Sequence, residues 1–86
     1  MKELQYKPKF LRQFKKLSPE IQILAVQKIR LLRKDLFLPE LKTHKLKGRF
    51  DGVFSFSVDF SHRIIFHLEE GSITLLCIGT HKIYKI

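Results

Sequence analysis

Three side chains of this sequence are of types that can bind and cleave a phosphodiester: Arg63, His81 and His44. Cleavage of RNA by its own 2′-hydroxyl needs a base for the hydroxyl proton, an acid for the departing 5′-oxygen and cations around the phosphate. Histidine suits the acid or base role because its pKa lies near neutral pH. Arginine suits the phosphate because its guanidinium donates two parallel hydrogen bonds. These residue types therefore favour a phosphodiester as the ligand.

The same stretches supply further groups that suit RNA, namely Lys45, Lys47, Arg49 and Tyr84. The lysines and the arginine add positive charge near the phosphate, and an exposed tyrosine can stack on an unpaired base. A metal set is not predicted, since the histidines are scattered and the one cysteine is expected to point inward. No cofactor is predicted either, because the substrate would supply its own nucleophile.

Each of these residues also has a purely structural interpretation. Arg63 could pair with Asp59 across two strands, and the lysines could be the solvated side of an edge strand. His44 could be an ordinary loop histidine. His81 could bond the backbone beyond a strand end, and Tyr84 could pack on the rim of the sheet. From the residues alone, both interpretations stay open.

The stretch from Arg63 to Gly79 predicts two of the strands that position these groups. Apolar residues alternate on both sides of Glu70-Gly71, as in strands with one buried face. If those two residues form the turn, Gly71 supplies the positive φ that the turn needs. The turn then predicts three facing pairs: Leu68 with Ile73, Phe66 with Leu75 and Ile64 with Cys77. That face is expected to be the core, with Cys77 as a buried, unreactive thiol.

A third strand is predicted from Val53 to Phe60, where apolar and polar residues alternate. Its core-facing residues are expected to be Phe54, Phe56, Val58 and Phe60. For these to share the core face of the next strand, the connection must contain an odd number of residues. A three-residue loop, Phe60-Ser61-His62, satisfies this and sets Asp59 opposite Arg63. The other face of the sheet is expected to be open and to display Ser55, Ser57, Asp59 and Arg63.

The N-terminal half predicts a short strand and a helical hairpin. The strand covers Glu3 to Tyr6, and a first helix begins at Pro8. A second helix begins at the Ser18-Pro19-Glu20 start signal and is stopped by Pro39. Leu41 to Gly52 is interpreted as a loop or a ragged edge strand. The class is α+β, with residues 1–86 as a single domain in which the helix pair packs on the inner face of a twisted sheet.

Charge is divided unevenly along the 86 residues, whose net charge is +9. Residues 1–49 hold fourteen Lys/Arg and four acids, a balance of +10, and residues 50–86 hold three and four, a balance of −1. A basic half points to a polyanion or an acidic protein partner, although it can also serve solubility. No apolar run has the ~18 residues of a membrane span, and no signal peptide is visible, so a cytoplasmic location is expected.

The motifs YKPKF, KKL, HKLKG, HRIIF and IGTHKIY, in this order, resemble the RelE/ParE superfamily of bacterial type II toxins. The resemblance is closest to the RelE, YoeB and YafQ type of mRNA interferase. It implies two N-terminal helices on a curved antiparallel sheet, a ribosome-dependent endoribonuclease acting on mRNA in the A site, and an acidic antitoxin that blocks the site. Such toxins place functional residues where this chain has His44, Lys47, Arg63, His81 and Tyr84.

The resulting hypothesis is a toxin that cleaves mRNA without a metal. Arg63 binds the scissile phosphate, His81 is the general acid, His44 is the weaker candidate for the base, and Tyr84 stacks on or positions the substrate. Lys45, Lys47 and Arg49 add phosphate contacts. Two other functions fit the same fold: a ParE-like toxin that inhibits DNA gyrase without catalysis, and an inactive relative that acts as a binding protein.

Overall fold

The computed structural model describes residues 2–46 and 51–85. Its helices and strands are, in chain order, β1 (Glu3–Tyr6), α1 (Pro8–Lys15), α2 (Pro19–Lys34), β2 (His44–Lys45), β3 (Val53–Ser57), β4 (Arg63–Glu69) and β5 (Ser72–Gly79). Two 3₁₀ helices, η1 (Pro39–Leu41) and η2 (His81–Lys85), precede β2 and follow β5. The predicted α+β class, with a strand, a helix pair and a sheet, is confirmed. Within the described ranges, no helix is long and apolar enough to span a membrane.

The two helices begin at the predicted signals. Pro8 and Pro19 each occupy the first turn, where a missing N–H costs nothing. The Ser18 hydroxyl accepts a hydrogen bond from the Ile21 N–H at 3.4 Å and so caps α2. Apolar residues at helical spacing then turn one face of each helix toward the sheet, with Phe10 buried in α1 and Ala25, Ile29 and Leu32 buried in α2.

The five strands form one open sheet in the order β1-β5-β4-β3-β2. Three of its pairings are antiparallel, as predicted for consecutive strands, and β1 lies parallel to β5, which makes the sheet mixed. Beyond Tyr6, where β1 ends, α1 takes its place beside β5. There the Gln13 Oε1 accepts a hydrogen bond from the Ile78 N–H at 3.0 Å. A helix side chain thus satisfies a backbone donor of β5 that lies beyond the end of β1.

The β4–β5 hairpin keeps the predicted turn but contains a bulge. Glu69 pairs with Ser72, and Gly71 has a φ of +80°. Leu68 faces Ile73 and Phe66 faces Leu75, as predicted, but the register then shifts, so that Ile65 pairs with Cys77 and Ile64 with Ile78. The predicted Ile64–Cys77 pair is therefore wrong. The extra residue on β5 is Leu76, and one inserted residue moves every later side chain to the other face.

Apolar side chains are buried on both faces of the sheet, and the bulge places Cys77 on the outer one. The main core lies between the helices and the inner face and includes Phe10, Phe56 and Phe66. A second group, here named the outer cluster, lies on the opposite face and consists of Val53, Ile65, Cys77 and Ile83, flanked by Leu46 and Leu76. Since Ile83 belongs to η2, that helix covers part of the face that was expected to be open. Cys77 is buried as predicted, but in the outer cluster, where burial raises the pKa of its thiol.

The connection between β3 and β4 contains five residues, 58–62, and not three. Ser57, and not Asp59, lies opposite Arg63, and Phe56 lies opposite Ile64. Five is also odd, so the predicted core face of β3 is retained. Phe60, which was expected in the core, is instead fully exposed at the tip of the loop. The apolar alternation of the sequence continues to Phe60, past the end of the strand at Ser57.

Candidate active site

Arg63 is the first residue of β4, between Ser57 on one side and Gly79 on the other. Because Ile64 points into the main core, strand alternation places Arg63 on the outer face. Its side chain is half-buried, and among the described residues its Nη1 atom is buried without a hydrogen-bond partner. A buried charged donor left unpaired is costly, so this atom is suited to an anionic ligand.

Asp59 does not pair with Arg63 in the described part of the chain, because the longer loop removes it from the register. Its Oδ1 accepts hydrogen bonds from the Ser61 N–H at 2.8 Å, the His62 N–H at 2.6 Å and the His62 Nδ1 at 3.0 Å. Burial alone would raise the pKa of Asp59, but these hydrogen bonds and the His62 ring lower it below its usual value. The carboxylate therefore organises the loop and leaves the guanidinium free for a ligand.

His81 opens η2 directly after β5 and lies beside Arg63 in one open cavity. This Arg63–His81 cavity has a volume of about 440 Å³ and is lined by Phe60, Ser61, Arg63, Thr80, His81 and Lys82. Its size lies in the range of small-ligand pockets. Arg63, Lys82 and, when protonated, His81 give its wall positive charge, with no acidic side chain among the lining residues. An anion the size of a nucleotide linkage is the ligand that fits this charge and volume.

A chain of hydrogen bonds joins His44 to Tyr84 through a residue that the sequence did not single out. The Tyr84 hydroxyl donates to the Ser55 Oγ at 3.1 Å, and the Ser55 Oγ lies 3.2 Å from the His44 Nε2. The His44 Nδ1 lies 3.1 Å from the Lys42 carbonyl oxygen, which can only accept. Nδ1 therefore carries a proton, and Nε2 of the neutral ring accepts the Ser55 hydroxyl proton. We name this the Tyr84–Ser55–His44 chain.

The backbone around Ser55 and His44 holds this hydrogen-bond chain in place. Ser55 is wholly buried, and it pairs with His44 on one side and Ile65 on the other. Lys42, which fixes the histidine ring, adopts a φ of 50°, a left-handed conformation that costs a non-glycine residue about 1–2 kcal/mol. Such strain occurs where the surrounding structure holds a residue in place. Tyr84 was predicted to stack on the substrate, and the structure adds that its hydroxyl donates a hydrogen bond to the buried Ser55.

The Arg63–His81 cavity and the Tyr84–Ser55–His44 chain adjoin on the outer face. Ser57–Arg63 and Ser55–Ile65 are successive rows on this face, and diagonal neighbours in a sheet lie about 7–8 Å apart. His81 and Tyr84 are three residues apart in η2, and residues at this spacing lie on one side of a 3₁₀ helix. The structure therefore brings four of the predicted residues to one region.

The other predicted cations are placed differently. Lys45 is exposed and pairs with Phe54, whereas His44 pairs with Ser55, so Lys45 lies on the opposite face of β2. Lys47 and Arg49 lie outside the described residues. Lys82, which was not predicted, lines the Arg63–His81 cavity. Lys82 could have been predicted from the sequence, because it directly follows His81. Nothing in the sequence distinguishes Ser55 from Ser57, the other serine of β3.

The remaining histidines have structural partners. His62 is held by Asp59 in the loop, and the His67 Nδ1 lies 3.0 Å from the Glu69 Oε1. Across residues 2–46 and 51–85, no three His, Cys, Asp or Glu side chains lie close enough together to hold a metal ion.

Solved structures with the same fold are bacterial and archaeal toxins. YafQ from E. coli strain BL21(DE3) is 17% identical, has a TM-score of 0.75 and matches over 98% of both chains. A YoeB/ParE toxin from Agrobacterium tumefaciens is 15% identical, with a TM-score of 0.78 over 92% of this chain and 98% of that one. The archaeal RelE–RelB complex from Pyrococcus horikoshii OT3 is 12% identical, with a TM-score of 0.78 over 92% and 93%.

No protein-family model and no curated protein matches the sequence. At 12–17% identity, the likeness to these structures shows the fold. It confirms the resemblance drawn from the motifs, since the structural neighbours are toxins of the RelE, YoeB, YafQ and ParE type over nearly the whole chain.

Proposed function

Because the chain has the fold of RelE-, YoeB- and YafQ-type toxins, we propose that it is the toxin of a type II toxin–antitoxin pair. We further propose that it cleaves mRNA on the ribosome by attack of the RNA's own 2′-hydroxyl. The observation that carries this proposal is the shared cavity of Arg63 and His81, with the buried Nη1 atom of the arginine unpaired. A gyrase inhibitor without catalytic activity would not need this pair.

In the proposed reaction, Arg63 holds the scissile phosphate. Its two parallel N–H donors match two phosphate oxygens, and their charge opposes the negative charge that grows in the transition state. Lys82 adds a second cation to the same cavity. Because Arg63 lies on a central strand between Ser57 and Gly79, its position changes little on binding, which is what preorganised stabilisation requires.

His81 protonates the departing 5′-oxygen in this scheme. It is exposed, lines the cavity and stands at the start of η2, where its imidazole can reach a phosphate bound to Arg63. A positioned general acid contributes about 10²–10⁴ to the rate. The bond from phosphorus to the 5′-oxygen breaks as the 2′-oxygen bonds to phosphorus, which leaves a 2′,3′-cyclic phosphate and a free 5′-hydroxyl.

The Tyr84–Ser55–His44 chain supplies the base. The 2′-hydroxyl proton passes to the Tyr84 oxygen as the Tyr84 proton moves to Ser55 and the Ser55 proton moves to the His44 Nε2. The imidazolium that results keeps its Nδ1–H on the Lys42 carbonyl. His44 therefore acts on the substrate through two hydroxyls, and Ser55 is a positioning residue.

A ribosome-containing translation extract tests the acid. His81→Ala should lose about 10²–10⁴ in cleavage rate, and His67→Ala, a matched histidine paired with Glu69 away from the cavity, should cleave mRNA like the parent. Equal cleavage by His81→Ala and the parent would remove His81 from the mechanism. A DNA supercoiling assay with purified protein tests the gyrase alternative. If the chain inhibits gyrase and leaves mRNA intact, it is a gyrase inhibitor and not a ribonuclease.

An acidic antitoxin is the proposed protein partner. The charge of +10 on residues 1–49 attracts an acidic chain, and the neighbours YafQ and RelE have been solved in complex with DinJ and RelB. Induced expression should be toxic, and co-expression of an acidic small protein from the adjacent gene should relieve the toxicity. Growth that is unaffected by induction would favour the inactive relative.

A further inference from the structure

Phe60 is the most exposed large apolar residue in the described ranges, with a relative exposure of 105%. The loop that carries it is not loose. The Val58 N–H donates to the His62 carbonyl at 2.9 Å, and Asp59 accepts three hydrogen bonds across the loop. The depressed pKa of Asp59 keeps that carboxylate charged at neutral pH. An aromatic ring is therefore held in solvent by a closed loop, at a fixed place beside the Arg63–His81 cavity.

Phe60 stands between two cavities that both include Arg63. One is the Arg63–His81 cavity. The other, of about 380 Å³, is lined by Lys28, Glu40, Lys42 and Asp59 together with Phe60 and Arg63. Here Lys28 is paired with Glu40 at 3.5 Å, and Asp59 is occupied by its loop. Lys82 in the first cavity and Lys42 in the second are then the lysines near Arg63 that have no carboxylate partner among the described residues.

This arrangement matches the parts of an unpaired strand of RNA. A phosphate on Arg63 leaves the phosphates before and after it near the cations of the two cavities. Because Phe60 lines both cavities together with Arg63, the base next to the central phosphate would meet the Phe60 ring. Proteins that hold single strands combine cations along the backbone with aromatic rings on which bases stack, and such stacking tolerates any base. The ring has no polar group, so it can stack on a base but cannot read its hydrogen-bonding edge.

We infer that Phe60 is a stacking platform for a nucleobase of single-stranded RNA, adjacent to the phosphate held by Arg63. This inference rests on the proposed function, since it takes that phosphate as given. It adds a binding subsite to the loop 58–62, and it accounts for an apolar ring that the main core and the outer cluster do not use.

The experiment measures binding of a short, single-stranded 2′-O-methyl RNA, which lacks the attacking hydroxyl and so stays intact. At low ionic strength, Phe60→Ala should weaken binding about 5- to 150-fold, the range found when a stacking aromatic ring is removed. Because the ring is fully exposed, the melting temperature should not change. Phe37→Ala is the matched control, since Phe37 is 59% exposed and lines neither cavity, and it should bind like the parent.

A second variant reports the contact directly. The chain contains no tryptophan, so Phe60→Trp introduces a single tryptophan at the tip of the loop, which can be excited at wavelengths where the two tyrosines do not absorb. The intact RNA should quench its emission and restore most of the affinity lost in Phe60→Ala. A matched oligonucleotide with abasic positions should bind through its phosphates and leave the emission nearly unchanged.

The results separate this inference from the proposed function. If Arg63→Gln weakens binding but Phe60→Ala does not, or if abasic RNA quenches as much as intact RNA, the stacking platform is wrong and the phosphate site stands. If the parent fails to bind the RNA at low ionic strength, or if Arg63→Gln binds like the parent, the phosphate site and the platform both fail.

Discussion

Replacing Gly79 by alanine should displace η2 and with it His81. Gly79 pairs with Arg63 at the end of β5, and its backbone suits any residue, so alanine strains nothing locally. The added Cβ, however, would lie 2.7 Å from the Ile83 Cγ2, where ordinary contact begins at 3.4 Å. Ile83 is the residue of η2 that is buried in the outer cluster. The substitution therefore acts on the helix that carries His81 and Tyr84.

The magnitude follows from that gap. The two atoms must separate by the difference between 2.7 and 3.4 Å, which is 0.7 Å, through a shift of the Ile83 side chain or of η2 as a whole. Catalytic groups need to be held within about 0.5 Å, and a displacement of about 1 Å can cost 10²-fold in rate. We expect cleavage to slow about 10- to 100-fold. The free energy of unfolding should fall by about 1–3 kcal/mol if η2 stays in place, as in other overpacked sites, and by less if it moves.

Cys77 supplies an assay of the displacement that does not depend on activity. It is the chain's single cysteine, it is buried beside Ile83 in the outer cluster, and burial raises its thiol pKa. In the parent, Cys77 should react slowly with iodoacetamide, and in Gly79→Ala it should react faster. Single-turnover cleavage of mRNA on ribosomes then gives the effect on the chemical step.

A compensating change provides the control. Leucine lacks the Cγ2 branch, so Gly79→Ala combined with Ile83→Leu should recover both slow alkylation and cleavage. Ile83→Leu alone should behave nearly like the parent, because it conserves volume. If Gly79→Ala cleaves like the parent while Cys77 becomes reactive, η2 does not position the reacting groups. If the double variant stays as slow as Gly79→Ala, the contact with Ile83 is not the cause.

Three further outcomes are expected. Gln13→Leu should lower the free energy of unfolding by about 1–3 kcal/mol in urea titrations, because the buried Ile78 N–H loses its acceptor, whereas Gln13→Glu should lose less. The pKa of Asp59 is lower in the folded than in the unfolded chain, so its stabilisation is complete above the unfolded value of about 3.9 and is lost as pH falls through the folded value. Asp59→Asn should accordingly be less stable than the parent at neutral pH, with the difference shrinking in acid melts. Ser55→Ala and Tyr84→Phe should each slow cleavage about 10²-fold or more, and together no more than either alone, since they interrupt one chain of hydrogen bonds.

Local patterns predicted the elements because each pattern is decided by neighbours in the chain. Pro8 and Ser18-Pro19 set the helix starts, since capping and proline geometry act within one turn. Gly71 set the β4–β5 turn because two residues must reverse the strand. The odd parity of the β3–β4 connection followed from the alternation of the phenylalanines. The loop's length did not, because a loop of three and a loop of five residues satisfy the same parity.

The errors share one physical origin. The bulge at Leu76 and the exposure of Phe60 depend on which surface meets each side chain, and that surface comes from distant parts of the chain. Gln13, on α1, accepts the hydrogen bond from Ile78 in the shifted part of β5. Cys77 and Ile65 are buried on the outer face because Ile83 of η2 and Leu46 pack over that part of the sheet. Alternation by itself does not tell a covered outer face from a solvated one.

For the site, the sequence determined which chemical groups were present, because residue type sets the charge and the proton affinity of Arg63, His81, His44 and Tyr84. Their grouping was decided only when the sheet formed. Strand pairing placed Arg63 beside Gly79 and Ser55 beside His44, and the packing of Ile83 set η2 across them. Contacts between residues far apart in the chain depend on register and packing, which no local stretch encodes. For that reason the buried hydroxyl of Ser55, the link from Tyr84 to His44, could be found only in the folded molecule.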